Sequence, residues 1–252
     1  MNSLVNNSAP QIIHLSETET TNLSLRLLAN AENMANTSMV WTDFQTKGRG
    51  QANNVWESEP GMNLLCSILF TPTHLLANQS FAVLEIAALS VKFTLEKYVS
   101  DISIKWPNDI YFQQKKISGI LIENEIAEGK ITRSIIGIGI NLNQKKFRSD
   151  APNPVSLTSI TGCTYDRKVV LNQLHTEFKG LVSELDAGEF DCLQQKYCAS
   201  LYHRNGFHTY QDAEGCFDAR IFMVDSSGHL ILERRDGTLS KYGFKEVKSL
   251  HS

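Results

Sequence analysis

Four segments of the chain carry apolar residues at every third or fourth position, which is the spacing of one face of an α-helix. The first segment, residues 23–28, follows Thr20, Thr21 and Asn22, whose side chains are of types that cap helix N-termini. The other three segments are residues 80–99, 168–186 and 189–200. The spacing therefore predicts four helices, the first with polar side chains at its N-terminal end.

Short apolar runs and alternation predict strands between these helices. Apolar runs at residues 38–41 and 61–70 flank a polar, glycine-rich segment, which we expect to connect two neighbouring strands. Residues 101–126 alternate in the manner of two strands with an internal turn, and residues 133–143 predict another strand. Residues 143–155 show no periodicity and contain two prolines, so they predict a mobile loop.

The pattern changes after residue 203 to short strands separated by turn residues such as Ser-Ser-Gly and Asp-Gly. These strands are predicted at residues 207–211, 216–225, 229–235 and 238–244. We therefore expect an α+β unit at residues 1–202 and a small β domain at residues 203–252. In the larger unit, the elements predict a mixed or antiparallel sheet flanked by helices.

Composition and charge limit the classes of function. The 252 residues suffice for one main domain with a small appendage, and 42% hydrophobic residues are typical of a soluble globular protein. A net charge of −3 argues against a main affinity for nucleic-acid phosphates or anionic lipids, so any basic site must be local. No apolar run approaches the roughly 20 residues of a membrane helix, so we expect no membrane partner.

The cysteines and histidines indicate neither a disulfide framework nor a metal centre. Five cysteines without a CxxC pair, in a chain without a secretory signal, indicate reduced thiols and a cytoplasmic protein. The seven histidines form no HxH or HExxH motif, so we expect no structural metal site.

The glycine-rich segment, residues 44–61, reads FQTKGRGQANNVWESEPG. Its glycines expose backbone N–H groups, and Lys47 and Arg49 add two cations, a combination that suits a phosphate or a carboxylate. It is not a Walker loop, because it leads to a strand rather than to a helix. The alternative is a solvent-exposed glycine-rich hairpin.

The segment KWPNDI, residues 105–110, surrounds Pro107 with a lysine, a tryptophan and an Asn-Asp pair. Proline fixes the backbone, and such rigidity suits a site that must hold polar groups still. The alternative is an ordinary turn at the end of a strand, because Pro-Asn-Asp is common turn chemistry.

Glycines interrupt two of the predicted strands. Gly119 follows Lys116 in KKISG, and Gly137 and Gly139 lie at alternate positions in GIGIN. Two glycines at alternate positions of a strand typically mark the close approach of a ligand or of another backbone. A lysine at the start of a strand is usually only solvated, so Lys116 alone is weak evidence.

The order of these segments resembles the biotin protein ligase family: a basic glycine-rich loop, a KWPND turn, KxxG and then GxGxN. The resemblance covers nearly the whole chain, from TTN at residues 20–22 to the C-terminal strands. The family's loop signature is GRGRxG, whereas residues 48–53 read GRGQAN here. Gln51 therefore stands in place of the second arginine, and Asn53 in place of the closing glycine.

The resemblance implies a class II synthetase-like catalytic domain and a small C-terminal SH3-like β-barrel. It also implies that biotin is activated with ATP and Mg²⁺ to biotinyl-5′-adenylate and pyrophosphate, then transferred to a lysine of a biotin carboxyl carrier domain in a carboxylase. Such a site needs cations, because the biotin carboxylate and the triphosphate repel each other. In the family the second arginine helps to retain the adenylate, so Gln51 implies a leakier intermediate.

The resemblance further assigns roles to residues of this chain. The catalytic cations would be Arg49, Lys105 and Lys116. Biotin would be bound by Thr20, Thr21, Asn22, Gln45, Gly48, Arg49, Gly50, Gln51, Lys116, Gly119, Gly137 and Gly139. ATP and the adenylate would be held by Arg49, Trp56, Lys105, Asn108 and Asn141. Asp109 would orient Lys116, assist Mg²⁺ or cap the turn, and residues 44–61 and 143–155 would be lids.

Three other functions are considered. A lipoate or octanoate ligase or transferase shares the fold, and a non-catalytic biotin-binding protein is suggested by the incomplete loop signature. A nucleic-acid-binding role for the C-terminal domain is disfavoured by its mixed charges. About 15 residues precede the first helix, too few for a helix-turn-helix domain, so we expect no DNA binding. An exposed sheet edge would allow a homodimer.

Overall fold

The computed structural model describes residues 9–51, 54–148 and 153–250. Asn53 of the loop signature and residues 149–152 of the predicted lid lie outside the described residues. The helices are α1 (Thr21–Ala31), α2 (Phe81–Leu95), α3 (Leu157–Thr161), α4 (Arg167–Asp186) and α5 (Phe190–Ala199). Within the described ranges, no helix is both long enough and apolar enough to cross a membrane.

The strands fall into two sets. The first set is β1 (Ile12–Thr18), β2 (Met39–Gln45), β3 (Leu64–Phe70), β4 (Ile102–Lys105), β5 (Asp109–Phe112), β6 (Lys115–Ala127) and β7 (Lys130–Ile140). The second set is β8 (His208–Gln211), β9 (Cys216–Val224), β10 (Leu230–Arg234), β11 (Leu239–Tyr242) and β12 (Lys248–Ser249).

The first set forms a seven-stranded sheet in the order β1-β2-β3-β7-β6-β5-β4. β1 and β2 are parallel, and every other neighbouring pair is antiparallel. The sheet is therefore mixed, and the predicted α+β architecture is confirmed. The four predicted helices are present as α1, α2, α4 and α5.

Helices cover both faces of this sheet. On one face α2 packs with α4 and α5, and Ile68 and Phe70 of β3 belong to that core. On the other face α1 lies against β2, β3 and β7, where Leu25 packs with Leu69 and Ile135. All seven residues of β3 are buried, because the strand lies between the two layers. The face that carries α1 also carries the candidate site.

The second set of strands forms a five-stranded antiparallel sheet in the order β11-β10-β9-β8-β12. This sheet packs against the larger one at the KWPNDI segment, where Nε1 of Trp106 donates to the carbonyl oxygen of Gly228 at 3.0 Å. The rings of Trp106 and Phe244 meet edge to face, with centroids 6.5 Å apart. The predicted C-terminal β unit is thus present, and it lies beside the candidate site.

Three elements, β1, α3 and the two-residue strand β12, are additions to those that the sequence pattern predicts, and residues 101–126 form three strands, β4, β5 and β6, instead of the predicted two. β1 is an edge strand without a fully buried residue. Its partner is the parallel strand β2, and a pairing between strands that are distant in sequence cannot be recognised from a local hydrophobic pattern. α3 has only five residues, too few to establish a helical period.

Gly228 joins the two sheets, and its substitution gives a test of that contact. Its φ is +87°, and a Cβ at this position would lie 2.3 Å from Cδ2 of Phe81. We predict that Gly228→Ala lowers the free energy of unfolding by roughly 2–5 kcal/mol, because steric overlap with a core ring adds to left-handed backbone strain.

Gly237→Ala is the matched control, because Gly237 has a φ of +85° and no atom within 4 Å of the added Cβ. Strain alone costs about 1–2 kcal/mol there. Urea unfolding of the two variants measures the difference, and equal losses of stability would contradict the contact between Gly228 and Phe81.

Candidate active site

One cavity of about 680 Å³ collects the residues that the motifs single out. Its lining includes Thr20, Thr21, Asn22, Gln45, Arg49, Gly50, Gln51, Trp56, Lys105, Asn108, Asp109, Lys116, Gly119, Gly137, Gly139 and Asn141. Gly48 is the one predicted binding residue outside the lining. A Cβ on Gly48 would lie 2.6 Å from the carbonyl oxygen of Trp56, so this glycine lets the two arms of the loop approach each other.

Four neighbouring strands form the floor of the cavity, and their register aligns the residues that line it. Lys105 pairs with Asp109, Asp109 with Gly119, and Gly119 with Gly139. Directly opposed residues of neighbouring strands project from the same face of a sheet, so these four positions form one row across the four strands β4, β5, β6 and β7. The two glycines have no side chains, so they leave space above the middle of the sheet, whereas the charged side chains of Lys105 and Asp109 project at one end of the row.

A polar pocket lies at the N-terminal end of α1, beside the glycine row. Thr20 caps the helix by accepting a hydrogen bond from the backbone N–H of Leu23 at 3.1 Å. The backbone N–H of Thr21 donates to Oε1 of Gln45 at 2.8 Å, which fixes the orientation of that amide. The amide nitrogen of Gln45 is therefore directed away from Thr21, as a donor for a ligand.

Asn22 is held from two sides. The hydroxyl of Ser67 donates to Oδ1 of Asn22 at 2.6 Å, and Nδ2 of Asn22 donates to Oε2 of Glu123 at 2.8 Å. A Cβ on Gly137 would lie 2.3 Å from Oδ1 of Asn22, so only glycine leaves room for this arrangement. Asn22 thus has its strongest bonds within the protein and offers a ligand mainly the second lone pair of Oδ1.

The indole of Trp56 covers the glycine row. A Cβ on Gly139 would lie 2.5 Å from Cε2 of the indole, and a Cβ on Gly119 would lie 3.0 Å from Cζ3. Nζ of Lys116 lies 5.7 Å from the centre of the ring. The close approach that the two strand glycines predict is therefore made here by an aromatic side chain of the glycine-rich loop.

Two lysines and one carboxylate lie at the charged end of the row. Nζ of Lys116 lies 2.7 Å from Oδ1 of Asp109. Nζ of Lys105 donates to the hydroxyl of Tyr111 at 3.3 Å and lies 4.9 Å from its ring centre. Burial lowers the pKa of Lys105, while Asp109 opposes the shift and the charge of Lys116 adds to it. The cluster carries local positive charge in a chain whose net charge is −3.

Three buried polar atoms at the cavity lack hydrogen-bond partners among the described residues: Oε1 of Gln51, Nε1 of Trp56 and Oδ1 of Asn141. An unpaired buried polar atom costs free energy. Two acceptors and one donor in a cavity of this size fit a ligand that carries both donor and acceptor groups.

The KWPNDI turn is supported from below by α2 and α5. The peptide bond between Trp106 and Pro107 is cis, and the hydroxyl of Tyr197 donates to the carbonyl oxygen of Pro107 at 2.6 Å. The ring of Phe81 packs edge to face on Tyr197, with centroids 5.3 Å apart. Above this layer, Nδ2 of Asn108 donates to the carbonyl oxygen of Ile120 at 2.7 Å. The turn is thereby fixed to both the core and β6.

Four residues at or near the cavity were not indicated by the sequence motifs. Phe244 and Lys245 of the second sheet line the cavity, while Ser67 and Glu123 hold Asn22. Ser67 is the one hydroxyl in the otherwise apolar run LLCSILF, a signal that the sequence contains. Phe244 and Lys245 carry no such signal, since only the packing of the two sheets brings them to the cavity.

The carboxylates that line the cavity indicate how it could accommodate Mg²⁺. Among the described lining residues these are Asp109, which is paired with Lys116, and Glu57, which accepts from the backbone N–H of Arg148 at 2.9 Å. Mg²⁺ in nucleotide sites usually takes one or two carboxylates and completes its shell with phosphates and waters. This donor set fits a Mg²⁺ ion that arrives with a triphosphate, and not one that is held by protein groups alone.

A potential metal-ligand group lies away from the cavity. Ligand atoms of Glu184, Glu189 and Cys192 lie within 4.8 Å of one another, and Glu184 is also paired with Lys196. Exposed acidic clusters are common without an ion. The absence of a structural metal therefore stays a prediction.

Comparison with known proteins identifies the family. Residues 14–141, about half of the chain, match the model of the biotin/lipoate A/B protein ligase family. The chain belongs to this family. The matched range contains all of the motif residues that line the cavity. The family name covers ligases of both biotin and lipoate, so membership alone does not distinguish the two acids.

Relatives of this ligase-family chain include a longer protein and one of similar length. The bifunctional ligase/repressor BirA of Bacillus spizizenii is 30% identical over 224 residues, which cover 85% of this chain and 67% of BirA. The biotin–[acetyl-CoA-carboxylase] ligase of Paracoccus denitrificans is 27% identical, with 86% of this chain and 92% of that protein covered.

Among solved structures, the biotin protein ligase from Aquifex aeolicus in complex with biotin and ATP has the same fold. The TM-score is 0.75 at 27% identity, and the match covers 96% of this chain and 99% of that chain. The likeness therefore extends beyond the family range to the C-terminal sheet.

Glu85 lies in α2 beneath the KWPNDI turn and gives this support layer a pH dependence. Its side chain is buried, and burial raises its pKa from 4.5 to about 8. At neutral pH the folded protein therefore holds Glu85 protonated, whereas the unfolded chain ionises it above pH 4.5. This contribution to stability is complete below pH 4.5 and is lost as the pH rises to about 8.

We predict that Glu85→Gln removes this dependence, because glutamine stays neutral at every pH. Wild type should lose stability relative to the variant between pH 5 and pH 8, by at most roughly 1.4 kcal/mol for each pH unit. Urea unfolding at both pH values measures the difference, in which the other titrating groups cancel. Parallel pH dependences in the two proteins would contradict the burial of a protonated Glu85.

Proposed function

We propose that this chain is a biotin–protein ligase, which activates biotin with ATP to biotinyl-5′-AMP and pyrophosphate and transfers biotin to a lysine of a carrier domain. The observation that carries the proposal is the single row of the sheet. In the cavity, this row lies next to a polar pocket suited to a neutral ring, its glycines form the floor, and Lys116 joins Lys105 and Asp109 at its charged end. A ligand with a neutral polar head and an anionic tail fits that order.

In the first half-reaction, a carboxylate oxygen of biotin attacks the α-phosphorus of ATP, and pyrophosphate leaves. Both reactants are anions, so the barrier includes their mutual repulsion, which cations in a dry cavity offset. Lys116 would contact the carboxylate and the α-phosphate, and Lys105 would face the departing phosphates. Arg49 would hold the carboxylate and α-phosphate, since its planar guanidinium can donate two parallel hydrogen bonds.

Asp109 orients Lys116 in this scheme. Its carboxylate holds Nζ of Lys116 at 2.7 Å, and it reduces the repulsion between Lys116 and Lys105. A Mg²⁺ ion bound with ATP would supply further positive charge against the triphosphate. No described carboxylate other than Asp109 and Glu57 lines the cavity to assist it.

The polar pocket would take the ureido ring of biotin. The amide nitrogen of Gln45 is the donor for its carbonyl oxygen, and the hydroxyl of Thr20 and Oδ1 of Asn22 are acceptors for its N–H groups. Gly137 provides the room that Asn22 needs. The carbons of biotin would lie along the glycine row after the indole of Trp56 moves from Gly119 and Gly139.

The nucleotide would lie at the other end of the cavity. The unpaired Oδ1 of Asn141 is an acceptor for the amino group of adenine, and Asn108 is held in place to face the phosphates. Trp56, displaced from the glycine row, would cover the base. Gly48, Gly50 and Gln51 would form the loop wall that closes over the adenylate.

In the second half-reaction, the unprotonated amine of the carrier lysine attacks the acyl carbon of the mixed anhydride. A C–N bond forms, the C–O bond to phosphate breaks, and AMP leaves with the electron pair while the amine loses a proton. Lys116 would stabilise the charge that develops on the oxygens. Exclusion of water protects the anhydride from hydrolysis until the carrier lysine arrives.

Lipoate ligation is the second candidate, because the family name includes lipoate. Biotin is favoured because the Paracoccus relative is described as a biotin ligase and the Aquifex structure as a biotin protein ligase in complex with biotin and ATP. A non-catalytic biotin-binding protein is disfavoured, because a protein that only binds biotin has no use for phosphate-facing cations.

The remaining assignments are proposals of the same kind. We place the catalytic domain at residues 1–202 and the small β domain at residues 203–252. The biotin carboxyl carrier domain is the protein partner. We further propose a cytoplasmic protein that binds no DNA and has an exposed sheet edge available for a homodimer.

Lys116→Ala tests the proposed chemistry. We predict biotin-dependent release of pyrophosphate from ATP by wild type, reduced on the order of 10²–10³-fold in the variant through loss of a preorganised cation. Lys115→Ala is the matched control, since Lys115 is the exposed neighbour outside the cavity lining. A wild-type rate that is independent of biotin, or that responds to lipoate instead, would overturn the proposal.

Gln51→Arg tests retention of the intermediate. Glutamine contributes no charge, so wild type should release free biotinyl-adenylate faster than the variant, on the order of tenfold for one charge-assisted hydrogen bond. Thr46→Arg is the control, because it adds the same charge to an exposed loop position outside the cavity lining. Quenched reactions without a carrier measure the release of biotinyl-adenylate, and equal rates from wild type and Gln51→Arg would contradict this prediction.

A further inference from the structure

Glu123 lies on β6 at the edge of the candidate site, and the sequence motifs assign it no role. Its carboxylate contacts donors from two other elements of the fold. Oε2 lies 2.8 Å from Nδ2 of Asn22 and 3.0 Å from Nη2 of Arg26, both on α1. Oε1 lies 3.4 Å from Nη2 of Arg49 in the glycine-rich loop. One carboxylate thus connects the polar pocket to the loop that carries the proposed catalytic arginine.

The three contacts differ in strength. The distances to Asn22 and Arg26 are those of good hydrogen bonds, and both partners are fixed on a helix. The contact with Arg49 is long for a charge-assisted hydrogen bond, and the Arg49 side chain is half exposed. Arg49 is therefore the partner that leaves Glu123 most easily.

Departure of Arg49 does not leave Glu123 unpaired. Arg26 and Asn22 remain on Oε2, so the partly buried carboxylate keeps one cation and one amide donor. The penalty that usually accompanies the breaking of a partly buried ion pair is thereby reduced. Arg49 can exchange one carboxylate for another at small cost.

We infer that Glu123 is a positioning residue, which holds Arg49 at rest and releases it to the carboxylate of the bound acid. The inference rests on the proposed function, because the acid is taken to be biotin. Glu123 and the biotin carboxylate then compete for Arg49. Arg26 sets the balance between them, since it neutralises Glu123 and weakens its hold on Arg49.

The competition predicts opposite effects from two substitutions. Glu123→Gln removes the competing charge, so biotin should bind roughly two- to fivefold more tightly, the range expected for a half-exposed ion pair. Arg26→Gln leaves Glu123 with a stronger hold on Arg49, so biotin should bind more weakly by a similar factor. A merely structural role for Glu123 would make both variants weaker.

Titration calorimetry with two ligands is the test. The Kd for biotin measures the exchange of Arg49 between Glu123 and the biotin carboxylate. Biotinol has a hydroxyl in place of the carboxylate, so its Kd measures the packing of the rings alone. We expect Glu123→Gln and Arg26→Gln to shift the Kd for biotin in opposite directions and to leave the Kd for biotinol within twofold of wild type. Glu19→Gln is the control, because Glu19 pairs with Lys47 of the same loop at 2.9 Å and lies outside the cavity lining.

Shifts in the same direction for the two variants, or equal shifts for biotin and biotinol, would overturn the inference while leaving the proposed function intact. Failure of wild type to bind biotin would overturn both. If Glu123→Gln does not fold, Arg26→Gln decides alone, and unchanged or tighter binding of biotin by that variant rejects the exchange.

Discussion

The antiparallel register of β6 and β7 is the constraint on which the site depends. Gly119 lies opposite Gly139, and Leu121 lies opposite Gly137. A shift of one residue would turn both glycines of β7 to the opposite face of the sheet. The core prevents this shift, because Ile136 and Ile138 of β7 pack among the buried residues beneath α2. Burial of apolar side chains on one face therefore fixes the polar geometry on the other.

Charge balance governs the end of the cavity that faces the proposed phosphates. Two ammonium groups close together would repel each other in a partly buried site, and Asp109 between them lowers that repulsion. Burial still leaves Lys105 with a pKa below its usual value. Lys116 is paired with Asp109 and lines the cavity. Glu123 plays the corresponding part for Arg49 at the loop. Each cation of the site thus has a protein anion or hydroxyl that holds it in the absence of substrate.

Much of this arrangement can be predicted from the sequence where a local pattern carries the information. The spacing of Leu25 and its neighbours predicts α1, and the alternate glycines at 137 and 139 predict a close approach. The sequence cannot identify the approaching group, which is the indole of Trp56, because that depends on the path of the loop. The roles of Ser67 and Glu123 depend on strand register between distant segments. Edge strand β1 escapes prediction for the same reason, since its partner β2 lies beyond α1.

The contribution of Phe244 and Lys245 to the cavity has a consequence for the order in which the protein is made. Domains generally fold as units from the N-terminus during synthesis. The whole set of binding motifs, through Asn141, is therefore synthesised well before the strands that complete the cavity wall. A nascent chain halted after Tyr202 would contain every motif but would lack the part of the cavity wall that Phe244 and Lys245 form. The cavity wall is therefore complete only in a chain whose translation has passed Lys245.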